Sequence, residues 1–407
     1  MNKLHAIQQK DRLQHIDIAR GIAILGILLV NMAHFSYPDL YLYMIGPDNF
    51  FSEGWGTADH ITVKLLDIFV QMKFITMFSF LFGFGMIVMM DRVEEKEQKF
   101  VPIYIRRLFV LLLFGIIHAF FIWDGDILTD YALLGFILLL FRKRKPKTLL
   151  IWAIVLYVLF ALPLTIASFL PIQESGEMAE WQAELAVESE QNAKQAIQTY
   201  GEGSFLEIAK QRIHDRIYYM SINGMASFNP IVYFFSNIPY FSMFLLGAYF
   251  AKRKILHQPS EHKSLLKKVW FISLLIGLPT NILFGMTENE AFILIGAPFL
   301  MLFYLLTVVL FLDLSWGKKI LMPFAAVGRT AFTNYLMQSV IATTLFYHYG
   351  FGLYGKVHPF GGLLVSLGIF LFQLIISNWW VKHYRFGPFE WLWRTATYKK
   401  AAKFKFK

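Results

Sequence analysis

"RRLFVLLLFGIIHAFFIWDGDILTDYALLGFILLLFRKRKPK", residues 106–147, decides the fold. Two apolar runs, 105–123 and 126–141, flank the short polar stretch "WDGD". Runs of this length suit helices that cross a hydrocarbon layer. Asp-Gly forms tight turns readily. Arg106 and Arg107 open the stretch and "RKRKPK" closes it, whereas aspartates sit in the middle. The segment therefore reads as a helical hairpin that enters and leaves an apolar layer from one basic side.

The rest of the 407 residues repeats this pattern. The chain is 57% hydrophobic and 16% charged, with a positive mean hydropathy. Ten apolar blocks are expected to span, at 17–36, 69–90, 105–123, 126–141, 148–170, 230–251, 268–286, 291–312, 329–348 and 361–381. The short alternating segments of an outer-membrane barrel are absent. The expected class is all-α: a polytopic integral membrane protein of about ten transmembrane helices, forming one membrane domain over 1–407.

The net charge of +10 lies mostly on one set of connections, including "RVEEKEQK", "RKRKPK", "AKRKILHQPSEHKSLLKK" and the tail "YKKAAKFKFK". That asymmetry predicts cytoplasmic termini and accounts for the basicity without a nucleic-acid partner. The absence of cysteine excludes disulfides, thiolate metal sites and cysteine nucleophiles. The first apolar run carries Asp17 and Arg20 and lacks a cleavage pattern, so it reads as a retained span. Residues 171–228 form the one large segment on the far side, an insertion between spans five and six. Its Glu, Gln and Ala content favours helix, as a cap over the membrane face or a solvated connector. No internal repeat is evident.

Ionisable groups inside spans are costly and mark candidate sites. Asp17 and Arg20 share a helix face, with Asn31 and His34 further along it. Asp67, Gln71 and Lys73 precede or enter the second span. His118, Asp124, Asp126 and Asp130 cluster about the "WDGD" turn, and Arg329, Thr333, Asn334 and Gln338 open a later span. Each cluster also fits a plainer role. These are an entry salt bridge, a snorkelling Lys73, a packed core histidine, and hydrogen-bond glue between helices. Gly21 and Gly26 would allow close helix packing. No HxH or HExxH spacing supports a metal site.

The blocks "DIARGIAILGILLVN", "QMKFITMFSFLFGFG", "RRLFVLLLFGIIHAFFIWDGDIL", "GRTAFTNYLMQS" and "RFGPFEWLWR" resemble the YeiB-like family of bacterial inner-membrane proteins. That family is similar to transmembrane acyltransferases such as heparan-alpha-glucosaminide N-acetyltransferase. The resemblance implies a multi-pass protein of the bacterial plasma membrane, in contact with membrane lipids. It also implies acyl transfer from cytoplasmic acyl-CoA to an external hydroxyl or amine on a cell-envelope sugar or lipid. In the sugar acyltransferases an Arg is followed eleven positions later by an essential His. Arg20 matches the Arg, but the His position is Asn31, as it is Asn in the heparan enzyme.

On this reading Arg106, Arg107 and Arg329 meet the donor phosphates. His118 is the base, oriented by Asp124 or Asp126. Asn31, Asn334 or Gln338 donates to the oxyanion. Asp17, Arg20, His34 and Lys73 complete the expected substrate-binding set. Two other classes fit the same charges: a transporter or lipid flippase, and a non-catalytic scaffold that uses 171–228 as a partner surface.

Overall fold

The structure is a computed structural model and describes residues 13–46, 49–170, 176–222, 230–400 and 403–405. Every element among them is helical, apart from one isolated bridge between Tyr384 and Lys405. The chain opens with α1 (Gln14–Ser36), α2 (Asp39–Ile45), α3 (Thr57–Phe69), α4 (Lys73–Glu94) and α5 (Phe100–Phe121). It continues through α6 (Leu128–Leu138), α7 (Pro146–Ala167), α8 (Gly176–Glu202), α9 (Phe205–Ile222), α10 (Pro230–Ser236) and α11 (Ile238–Lys252). The last third comprises α12 (Lys263–Thr287), α13 (Glu290–Phe311), α14 (Ser315–Arg329), α15 (Ala331–Phe346), α16 (Pro359–His383) and α17 (Pro388–Tyr398).

By length and composition, seven segments can cross a membrane: α1, α3–α4 taken together, α5, α7, α12, α13 and α16. This is a membrane protein. The other three apolar blocks of the sequence fall on shorter helices. They are α6 with the 3-10 turn Leu139–Phe141, α11 after α10, and α15. The expected cytoplasmic N-terminus, residues 1–12, lies outside the described residues, as do 406–407 at the other end.

Apolar side chains on α7 and α12, among them Ile154, Leu159, Leu162, Phe271 and Leu275, point outward. In water such a belt would cost free energy, whereas against lipid it does not. The inner helices touch through their backbones. A Cβ on Gly83 of α4 would strike the Phe244 carbonyl of α11, and one on Gly247 would strike that of Phe80. The α1–α14 crossing is built the same way from Gly21 and Gly328. Without a hydrophobic drive between helices in lipid, this close contact supplies much of the cohesion. Gly26 meets the Phe74 ring of α4 instead.

Polar groups close the helix ends. Asn289 caps α13, its side chain accepting from the Ala291 N–H at 2.9 Å. Asp59 of α3 accepts the Phe360 N–H at the start of α16 at 3.0 Å. Glu390 of α17 accepts the Phe332 N–H at 2.7 Å and the Thr333 N–H at 3.1 Å at the start of α15. Lys73 is fully buried and donates to the Asp67 carbonyl at 2.6 Å, which closes the end of α3. It does not snorkel outward.

At one end of the bundle, α8 and α9 form a cap, with α9 over the α5–α6 turn and α8 packed on α9 and α2. Asp215 of α9 anchors this cap, accepting from Tyr41 at 2.5 Å, Tyr200 at 2.7 Å and Gln211 at 2.7 Å. The opposite end carries the basic connections. There Lys252 donates to the Arg142 and Arg144 carbonyls at 2.7 Å each. Arg107 stacks on Trp393 of α17 at 3.5 Å, and Arg106 donates to the Thr397 carbonyl at 2.7 Å.

Candidate functional site

One cavity of about 2800 Å³ runs from the basic end to the underside of the cap. Arg20, Arg106, Arg107, Arg329 and Arg394 line its basic end. Phe74, Phe78, Phe82 and Leu111 form an apolar middle, and Gly26 and Gly85 leave room there. Asn31, His34, Asp39, Asp124, Asp126, Asp130 and Arg216 line the capped end. An anionic group is thus favoured at one end and a smaller polar group at the other, across an apolar waist.

The "WDGD" turn builds the capped end. A hydrogen bond from the Asp126 N–H to the Asp124 carbonyl, 2.8 Å, makes it tight. A side chain at Gly125 would strike the Trp123 ring. The two aspartates then serve different helices. Asp124 Oδ2 lies 2.9 Å from His34 Nε2 of α1. Asp126 Oδ1 lies 2.9 Å from His118 Nδ1 of α5, and its Oδ2 accepts the Thr129 N–H at 2.9 Å. Trp123 stands between the imidazoles, with ring centroids 5.3 Å from His34 and 6.1 Å from His118.

The two histidines differ in what they can do. His118 is 1% exposed and does not line the cavity. Its Nε2 meets Ser339 Oγ of α15 at 2.9 Å, so both ring nitrogens are engaged. With Asp126 holding the proton on Nδ1, the Ser339 hydroxyl donates to Nε2. His118 and Ser339 tie α5 to α15 behind a cavity wall that Asp126 itself lines. His34 lines the cavity, and Asp124 fixes its proton on Nε2. Its Nδ1 has no hydrogen-bond partner among the described residues. Burial pushes the Asp124 carboxyl up, but His34 outweighs that and holds it below the ordinary value.

The remaining expected residues divide in the same way. Asp17 and Arg20 pair at 3.5 Å and line the basic end, as does Arg329. Asn334 donates to Thr330 at 2.9 Å and Ser377 at 3.1 Å. Gln338 donates to Gln373 at 2.8 Å and the Ile24 carbonyl at 3.2 Å. Both are buried away from the cavity and join α1, α15 and α16. Asp130 lines the cavity and accepts from Tyr233 at 2.7 Å.

Two contributors were not singled out from the sequence. Ser339 carries no local signal. Arg216 of α9 donates to the Asp124 carbonyl at 2.9 Å and the Asp126 carbonyl at 3.4 Å. Its signal lay in "RIHDRI", where Arg212 and Arg216 fall one helical turn apart on a face that is otherwise partly apolar. Among the described residues no three His, Asp or Glu side chains gather in a metal-binding group.

Comparison with known proteins identifies the family of the chain. Residues 250–400 match the family described as "Protein of unknown function (DUF418)". The chain is 55% identical over 398 residues to "Uncharacterized protein YxaH" of Bacillus subtilis (strain 168), covering 98% of this chain and 97% of that one. It is 28% identical to "Uncharacterized protein YeiB" of Escherichia coli (strain K12), over 95% of this chain and 96% of that one. No solved structure matches. With near-complete coverage of a relative at 55% identity, and the five sequence blocks spread over the same length, the chain belongs to the YeiB-like, DUF418 family.

Proposed function

We propose that this membrane protein is an acyltransferase of the bacterial plasma membrane. It moves an acyl group from acyl-CoA at the basic, cytoplasmic end to a hydroxyl or amine acceptor at the capped, external end. The observation that carries the reading is the cavity itself, which joins an arginine-lined mouth to a histidine–aspartate pair with a free nitrogen. The positive-inside asymmetry supports the orientation. Acyl-CoA offers phosphates to Arg20, Arg106, Arg107 and Arg329, and its flexible arm suits the apolar waist. An envelope sugar or lipid supplies the acceptor.

His34 acts as the base, with Nδ1 taking the acceptor's proton and Asp124 stabilising the imidazolium. Asn31, also on the wall, is within the same end of the cavity. His118 and Asp126 act as positioning residues, since His118 does not reach the cavity. Asn334, Gln338 and Lys73 hold helices together.

The test uses the full chain in liposomes with acetyl-CoA or palmitoyl-CoA and a panel of glycerol, glucosamine and phosphatidylethanolamine. Thiol release with formation of an acylated acceptor is expected. Uptake of an unmodified solute with no acylated product would refute the reading in favour of transport.

A further inference from the structure

We infer that Arg216, delivered by the cap, is the electrophilic residue that holds the oxyanion during acyl transfer. The inference rests on the acyltransferase reading and adds a role for the inserted segment. Arg216 is 8% exposed and lines the cavity at its capped end. One nitrogen, Nη1, is spent on the two turn carbonyls that flank Gly125. Those bonds fix the guanidinium beside the carboxylate that orients His34. The other N–H groups have no hydrogen-bond partner among the described residues.

Its guanidinium carbon lies 5.8 Å from the Tyr219 ring centroid, and the neighbouring carboxylates are each bonded elsewhere. Asp124 is taken by His34, Asp126 by His118 and Thr129, and Asp130 by Tyr233. Asp124 and Asp130 both feel the guanidinium's field, but no carboxylate forms a direct ion pair with Arg216 among the described residues. A buried cation without an ion-pair partner is costly, and that cost is relieved when negative charge develops next to it. Preorganised donors of this kind are where electrostatic catalysis is strongest.

The step balances without any further reactant. The acceptor heteroatom attacks the thioester carbonyl carbon while its proton passes to His34 Nδ1. The carbonyl π pair moves onto oxygen, and the resulting oxyanion accepts from the free N–H groups of Arg216. Collapse restores the carbonyl and breaks the carbon–sulfur bond. The thiolate leaves, and the proton on His34 converts it to the CoA thiol.

The experiment measures thiol release from acetyl-CoA and palmitoyl-CoA by the full chain in liposomes, with the same acceptor panel. Arg216→Ala should lower kcat by about 10²–10³-fold with little change in KM for the donor. Added guanidinium ion should restore a large part of that rate, and urea should not. Arg216→Lys keeps the charge but loses the fork, so it should fall between Ala and wild type. Thermal unfolding in detergent separates a loosened cap from a lost donor. If Arg216→Ala keeps its kcat, or loses it with no guanidinium rescue and a matching fall in Tm, the inference is overturned while the acyltransferase reading stands. If the wild type releases no thiol from either donor, the reading falls and this inference with it.

Discussion

Replacing His34 and His118 one at a time by alanine should divide the two imidazoles cleanly into a reacting group and a structural one. His118→Ala leaves Asp126 with a single N–H partner, from Thr129, and strands the Ser339 hydroxyl in a dry interior. Opening a cavity in the core and leaving a buried carboxylate short of a hydrogen bond costs about 3–5 kcal/mol. Ser339→Ala removes only the outer bond of the chain, a loss of about 1 kcal/mol. His34→Ala exposes Asp124 to the water of the cavity, which can rehydrate it, so the stability cost is nearer about 1 kcal/mol. Its effect falls on the rate: loss of a general base lowers kcat by about 10²–10⁴-fold. Thermal unfolding in detergent gives the first quantity, and thiol release from acyl-CoA in liposomes gives the second. The ordering expected in Tm is wild type, then Ser339→Ala and His34→Ala, then His118→Ala well below. If His118→Ala unfolds with the wild type yet abolishes turnover while His34→Ala retains it, the assignment of the base to the cavity-lining histidine is wrong.

Glu390→Gln should lower stability by about 1–2 kcal/mol, because the amide oxygen still accepts the Phe332 and Thr333 N–H groups but the negative charge at the start of α15 and the acceptor for the Thr333 hydroxyl are lost; limited proteolysis should then cut more readily near α17. Gly247→Val should prevent a monodisperse fold, since its Cβ meets the Phe80 carbonyl of α4, and size-exclusion chromatography in detergent would show this. In the cap, the hydrogen bond with Asp215 raises the His214 pKa above the ordinary histidine value. A raised value means that the stabilisation is complete below the unfolded pKa and disappears as pH climbs through the folded one. Hydrogen exchange in α9 should therefore quicken over that upward passage, and Asp215→Asn should remove the dependence.

The hairpin was legible because three independent signals coincide in one stretch. These are two apolar runs, a turn dipeptide between them, and basic residues at both outer ends. The Asp17–Arg20 pair and the closeness permitted by Gly21 followed from helical spacing alone, and both stand in the structure. Which acid meets which histidine was not legible. His34 and Asp124 are 90 positions apart, and nothing local says that α1 rather than α5 faces the first aspartate. Asn334, Gln338 and Lys73 show the converse difficulty. Polar groups in an apolar helix look alike in sequence whether they face a cavity or another helix, and only packing separates them. Arg216 was hidden for a third reason: its partners are backbone carbonyls, which any sequence supplies.

The separation of the two histidines follows from the geometry of a turn only a few residues long. Asp126 is committed twice, to the first turn of α6 through Thr129 and to α15 through His118 and Ser339. A change of protonation there would disturb the packing of three helices at once. Among the described residues Asp124 has His34 as its one hydrogen-bonded side-chain partner, and both face the cavity. Its proton balance can change during a reaction while the helices stay in place. Gly125 lets the two carboxylates diverge within that span, and the Trp123 indole fills the space between the imidazoles. On the acyltransferase proposal, a turn built this way serves acid–base chemistry at its first aspartate because the second one holds the frame still.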